Sequence, residues 1–569
     1  MIQRSTYLAV TFMLVCAAAG RLEAQGVENA ASPGSGQAPQ ITKKADVKAE
    51  GAENDGAETV RGPTSAGDGN QDGDPEDADH DHATHDSHSR LSDQPIPLAQ
   101  LPDRPKPLLE LGTPFLGTGR IGRGFRLPGG AVWQPSFLLF GSFRSGLSHF
   151  DDDRVGTTQW ANRLDLFGNL YLSGTERLVF GLRPLDETVD DGTRQFTGGQ
   201  WFSPDPNDRG GGVEGFNFDW DTVTHLFFEG EIGEIFPNLD PEERGSFDIG
   251  FSVGRQPINF QEGLLVNDFL DAVGITRNNL KPGGTVNLRV TGLYAWNQIN
   301  RNTPSGDALI RNREADGARL FGLFTEVDWR VSTVAVDLIY LNGGTFRGTP
   351  QVPDVEAGDA IYTGVSFVQR FGNLNSSFRV LGSIPLGDRT PDNNPLDISD
   401  PAGGGALFFS EISWTPHHSH DFIYVNGFAA FDRYRAAALD PTIPGPLARA
   451  GFLFAGPGLG NFPGALSPTA EDVVGGAVGY QKFLDRTRQQ LLVEAGGRLS
   501  TSGCGGSQDD CGSHSLAGGA RYQIAIGRRS VLVLDGYVSW ENLRGASQAD
   551  FGQDSRLRLG SRIEWLLKF

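Results

Sequence analysis

The residues best placed to do chemistry in this sequence are charged and amide side chains sown singly through segments of alternating polarity. Asp248, Gln256, Arg289, Glu326, Asp328, Arg330, Asp337 and Arg379 fall on one phase of that alternation. Carboxylates, guanidinium groups and amides of mixed sign around a shared aqueous space act on a polar solute by charge and hydrogen bonding, not by making or breaking bonds. Glu262 and Asp268 lie in a predicted loop over 257–268, and they join the set if that loop folds inward. Arg255 falls on the opposite phase and joins only if a bulge at Gly254 turns the chain.

Three other groups need weighing. His80, His82, His85 and His88 stand among Asp77, Asp79 and Asp86. Imidazole and carboxylate both ligate zinc-like ions, so the tract is a weak divalent-metal candidate with no fixed geometry. His417, His418 and His420 read as a surface turn. Cys504 and Cys511 are spaced to close one small loop as a disulfide. No P-loop, Gly-x-Ser-x-Gly or His-Glu-x-x-His pattern occurs, and His149 and His225 have no evident nucleophile or acid beside them in sequence. Neither an enzyme nor a cofactor is expected. The net charge of −22 argues against nucleic acid, which needs basic patches.

The elements that would position these residues are strands. In 163–172, Leu164, Leu166, Leu170 and Leu172 share one face, while Arg163, Asp165, Asn169 and Tyr171 share the other. Leu178, Phe180 and Leu182 repeat the pattern against Arg177 and Arg183, after a tight Ser-Gly-Thr-Glu turn. The joins between such segments alternate in length. Short ones fall at 173–176, 281–284, 331–333, 371–375, 415–421, 485–489 and 527–529, with a longer member at 231–245. Long polar ones fall at 145–158, 186–215, 298–317, 342–359, 385–404, 434–471, 500–516 and 542–554. Short turns at one end and long loops at the other characterise outer-membrane β-barrels, and a soluble sandwich has no reason to keep them so sorted. Keeping phase requires one more outer loop within 257–283 and a descending strand over 269–280. The fold class predicted is therefore an all-β, transmembrane, antiparallel up-and-down barrel of about 16–18 strands, wide enough for an aqueous channel. Trp220, Trp296 and Trp540 fall near the long-loop ends of strands, and Trp329, Trp414 and Trp565 near the short-turn ends, as two interfacial girdles would require.

Ahead of the barrel the sequence predicts two further regions. Arg4 followed by the apolar Leu8 to Ala19 reads as a secretory signal, 1–24, cleaved after Ala24. Residues 25–108 are acidic and poor in large apolar side chains, so they read as a disordered periplasmic extension ending in a proline-rich linker. The barrel would occupy 109–569.

The last segment, 556–569, places Leu557, Leu559, Ile563, Trp565, Leu567 and Phe569 on one face and Arg558, Arg562, Glu564 and Lys568 on the other. It resembles the C-terminal strand of bacterial outer-membrane proteins, which implies that Trp565 and Phe569 are read by the barrel-assembly machinery. The stretch Gly254-Arg-Gln-Pro-Ile-Asn-Phe-Gln-Glu-Gly, with its Asp268-Phe-x-Asp return, is similar to alginate-export and related substrate-selective porins. These resemblances imply an outer-membrane porin in contact with lipid, passing small polar solutes, carbohydrates among the candidates, with the N-terminal tail in the periplasm. A surface-display or adhesion barrel acting through its long loops is the alternative.

Overall fold

The structure, a computed structural model, describes residues 106–112, 124–151, 156–185, 222–242, 247–302, 312–346, 355–386, 404–501, 513–543 and 555–569. It omits positions 458, 461 and 486 within these spans and adds short pieces of the intervening loops. The signal segment, nearly all of the acidic extension, His80 to His88, and Cys504 and Cys511 lie outside the described residues.

Eighteen strands form one closed antiparallel barrel. They are β1 (Ser136–Asp151), β2 (Gly156–Tyr171), β3 (Arg177–Leu185), β4 (Val223–Glu231), β5 (Ile249–Phe260) and β6 (Val266–Leu280). The wall continues with β7 (Asn287–Asn297), β8 (Arg319–Asp328), β9 (Ser332–Asn342), β10 (Asp359–Phe371), β11 (Leu374–Leu386) and β12 (Gly405–Trp414). It ends with β13 (Phe422–Arg433), β14 (Glu471–Leu484), β15 (Gln489–Ser500), β16 (His514–Ala525), β17 (Ser530–Asn542) and β18 (Ser555–Lys568). Each strand pairs with the next, and β18 closes on β1 over Leu559↔Asp151 to Lys568↔Ser142. Past the end of β18, Gly141 and Phe569 exchange backbone hydrogen bonds, 2.8 and 3.0 Å. The edge of β1 beyond that point is covered by Leu109–Leu111, paired with Phe137–Leu139. Among the described residues each barrel strand is thus hydrogen-bonded to a neighbouring strand on both sides, as a bilayer-spanning sheet requires.

The alternation sorts the faces as the sequence predicts. Val253, Ile275, Leu323, Val336, Val478 and Ile563 are exposed on the outside. Arg562, Glu564, Asp535, Asp337 and Arg379, on the other phase, are nearly buried inside. Leaving so many large apolar side chains in water would forfeit roughly 1.5–3 kcal/mol each, and hydrocarbon removes that cost. Trp220, Trp329, Trp414, Trp540 and Trp565 are exposed near the two ends. Glycines let inward rings lie flat on the wall: a Cβ at Gly479 would sit 2.2 Å from the Tyr424 ring, and one at Gly560 would sit 2.3 Å from Tyr537.

Two expected loops turn out to be mostly strand. The polar stretch 145–158 continues β1 and β2, which are 16 residues each and so longer than the roughly 9–11 needed to cross a bilayer. Polarity there marks strands that run past the membrane, not a loop. The expected loop 257–268 shrinks to 261–265, where Gln261, Glu262 and Gly263 adopt positive φ and reverse the chain tightly.

A charge on the outer phase at mid-strand should be costly. Ile563→Arg should lower stability by roughly 2–4 kcal/mol in urea unfolding from lipid vesicles. A change under ~0.5 kcal/mol would mean that this face does not meet hydrocarbon.

Candidate functional site: the lumen and the segments that enter it

The inward phase builds a wall of paired charges. On β16, β17 and β18, Arg521 meets Asp535 at 2.8 Å, Asp535 also holds Arg562, and Arg562 holds Glu564. Glu564 reaches across the closure to Arg144 on β1, 2.6 Å away. On β2 and β3, Asp165 is held by Arg163 and by Arg183, both at 2.9 Å. Nearer the short-turn end, Arg177 pairs with Glu229 and Arg289 with Glu326. Opposite charges a pleat apart on one face satisfy each other where water is scarce.

Two segments enter this space. The first is the upper part of the β5–β6 hairpin. Gly254 takes φ +122, and its Cβ position lies 2.2 Å from the Leu226 carbonyl oxygen, so only glycine permits the bend. Before the bend Val253 is exposed on the outer face. Past it, Ile258, Leu264, Leu265, Val266 and Leu270 are buried. Phe260 stacks on the inward Phe324 of β8, and Gln261 donates to Asp337 of β9 at 2.7 Å.

The second segment is 434–470, nearly all of the predicted outer loop 434–471. It begins at the long-loop end but folds back into the barrel, and most of its apolar side chains, such as Leu447, Leu453, Phe454 and Leu466, are fully buried. Phe462 packs edge-on against Phe150 and Tyr537, and Arg562 lies over its ring. Arg144 donates to Pro457 O at 2.9 Å, and Asn426 to Ala450 O at 2.9 Å. Glu494 of β15 accepts the consecutive backbone N–H groups of Phe452 and Leu453, both at 3.0 Å, and the Tyr424 hydroxyl. The physical reason for the inward fold is that this loop carries enough apolar surface to bury a core of its own.

The two segments lock together. Ala438–Leu439 pairs parallel with Val266 and Asn267, and Tyr434 donates to Leu264 O at 2.8 Å. Beneath them lies a four-membered ion cluster. Glu262 bridges Arg379 (2.7 Å) and Arg449, and Glu411 bridges Arg379 (2.6 Å) and Arg449 (3.7 Å). Arg379 and Glu411 come from the wall, Glu262 from the hairpin tip and Arg449 from the loop.

The structure thus brings Glu262, Asp337 and Arg379 together around the inserted segments. Asp268 is buried at the top of β6, accepting from Asn300 N (2.9 Å) and Asn300 Nδ2 (3.0 Å). Gln256 is also buried, donating to Ala272 O at 3.1 Å. Arg289 and Glu326 face the lumen as a pair, and Asp328 accepts from Thr333 at 2.7 Å at the short-turn end of β8. Asp248 precedes β5 and accepts from Asn279. Arg255 sits at the bend, bound to Asp271 at 2.8 Å and donating to Val223 O at 3.1 Å, so it braces the hairpin. Arg330 is a correction: it is exposed in the tight 329–331 turn, closed by Trp329 N donating to Ser332 O, and not in the wall. Trp565 is outward and edge-on to Phe143.

Arg144, Glu494, Arg521 and Asp535 stand on the polar phase of their strands, so complete phase counting finds them. Arg449 carries no such signal, because its position depends on where a loop goes.

No family model matches the chain, and no curated protein matches it. Solved structures similar to it include Pseudomonas aeruginosa OccK5 (OpdH), at 10% identity, covering 76% of this chain and 98% of that one with a TM-score of 0.42. Others are OccK3 (OpdO) of the same species, at 10% identity, 76% and 95% coverage and a TM-score of 0.43, and OccK9 (OpdG), at 12%, 76% and 98%, and 0.43. The barrel itself is established by the strand pairings of this chain.

Removing the Glu494 carboxylate should free the loop it holds. Glu494→Ala leaves two buried N–H groups without acceptors, at about 1–3 kcal/mol each. Amide exchange at Phe452 and Leu453 should then quicken by about ten-fold or more, with β13 unchanged. Equal protection in the variant would show that the loop is held by other contacts.

Proposed function

We propose that this chain is an outer-membrane porin that passes small polar solutes through a lumen narrowed by the β5–β6 hairpin and by 434–470. The carrying observation is the closed wall, apolar outside and lined inside with charges of both signs. An aqueous space faced by Arg289, Glu326, Asp328 and the Arg163–Asp165–Arg183 group attracts dipoles and hydrogen-bonding solutes without strongly selecting one ion sign. Small carbohydrates fit that description. Glu262, Asp337 and Arg379 act on passage indirectly, by fixing the constriction, with Gln256 and Asp268 supporting it.

On this reading the short turns and the N-terminal extension face the periplasm. Trp565 and Phe569 serve the assembly machinery, their strand presenting an outward apolar phase at the closing seam. The histidine tract offers a divalent-metal site in the extension, and Cys504 and Cys511 a disulfide in an outer loop.

One observation favours a second reading, a display barrel closed by its own loops: the inserted segments meet wall strands on several sides of the lumen. Planar-bilayer recording separates the two. The purified chain should give stepwise, ohmic conductance that passes both K⁺ and Cl⁻ within about a factor of three, as a lining of balanced charge requires. Insertion without conductance would support the closed barrel and overturn the porin.

A further inference from the structure

We infer that the inner wall at β1, β2 and β4 carries a stacking subsite for the ring of a neutral sugar. Phe140 and Phe167, cross-strand partners on the inward phase, lie with ring centroids 5.6 Å apart. The Phe167 ring meets His225 of β4 at 5.3 Å, and His225 meets Phe269 of the tilted hairpin at 5.1 Å. Between them, on β3, stands Gly181, where a Cβ would lie 2.7 Å from His225 Nδ1 and 3.0 Å from the Phe167 ring. The missing side chain lets the rings converge into one surface. Phe140 keeps 39% of its surface exposed although it points inward. An aromatic surface kept open inside a polar channel is costly in water and is stabilised by a solute that covers it.

The surroundings select the chemistry of that solute. Asp165 lies two residues from Phe167 on the same face, about 6.6 Å along the strand, and is held by Arg163 and Arg183. On the other side Glu229, four residues past His225 on β4, is held by Arg177. On each flank every charged group already has a partner of opposite sign, one guanidinium on Glu229 and two sharing Asp165. Hydroxyl groups, which both donate and accept, match such pairs, whereas a carboxylate or ammonium group would have to compete with an existing ion pair. The C–H faces of a pyranose carry the slight positive charge that suits the negative face of a phenyl ring. Rings in the middle and hydroxyl-matching pairs at the edges therefore fit a neutral sugar better than an aromatic acid.

The inference deepens the porin reading, which it needs only to explain how the sugar arrives. The test uses the full mature chain, with maltose and benzoate as probes, in calorimetry on detergent-solubilised protein and in bilayer recordings. Maltose should bind saturably and reduce the ionic current. Phe140→Leu and Phe167→Leu, which keep apolar volume but remove the ring face, should each weaken maltose binding about ten-fold, the factor that ~1.4 kcal/mol represents. Both should retain heat-modifiable gel mobility and basal conductance. Absence of maltose binding, equal affinity in the two leucine variants, or tighter binding of benzoate than of maltose would overturn the subsite. Maltose binding that needs the rings, without conductance, would uphold the subsite and overturn the channel.

Discussion

Closing a sheet on itself leaves each side chain of the wall two choices, out toward the surroundings or in toward every other inward side chain. That constraint governs the rest of this structure. The seam between β18 and β1 satisfies the last backbone edge, and Glu564 and Arg144 meet across it. Once the wall is closed, the outward phase carries the large exposed apolar side chains and the inward phase must settle its charges internally. The chain does so by pairing neighbours a pleat apart, as in Arg521, Asp535, Arg562 and Glu564. A lone inward charge would face a desolvation cost of several kcal/mol, which a partner of opposite sign largely offsets.

The same economy explains why two segments can leave the wall and enter the lumen. A backbone inserted there must find partners for its own N–H and C=O groups. Glu494 supplies an acceptor for two of them, Arg144 and Asn426 supply donors, and the parallel pairing of Ala438–Leu439 with Val266 and Asn267 supplies a ladder. The cluster of Glu262, Arg379, Glu411 and Arg449 joins both insertions to the wall at one place. The constriction is thus one body, and a change at any member of that cluster acts on both segments.

Much of the wall was legible in the sequence, because a period of two and the sorting of joins by length are local signals. Leu557 to Trp565 and Arg558 to Glu564 could be assigned to opposite faces from their order alone. The lumen was less legible. Asp337 and Arg379 could be placed on the inward phase, but their partners, Gln261 and Glu262, come from a hairpin whose inward bend depends on one glycine conformation at Gly254. Arg330 was misplaced by extending the phase two residues past the end of β8 at Asp328. The loop 434–470 was misread because join length says nothing about direction. Its apolar content, at Leu447, Leu453, Phe454, Phe462 and Leu466, was the available clue: a solvated loop has no use for so many buried-type side chains.

The central claim is that 434–470 occupies the lumen and limits passage. The most direct measurement is single-channel conductance of a chain in which residues 441–464 are replaced by a short Gly-Ser linker. The β13 and β14 strands and the seam at Phe569 are left intact. Conductance several-fold above that of the unaltered chain, in a barrel of unchanged heat-modifiable mobility, is the predicted result. Equal conductance from the two folded barrels would contradict it, and would place the loop outside the path of the ions.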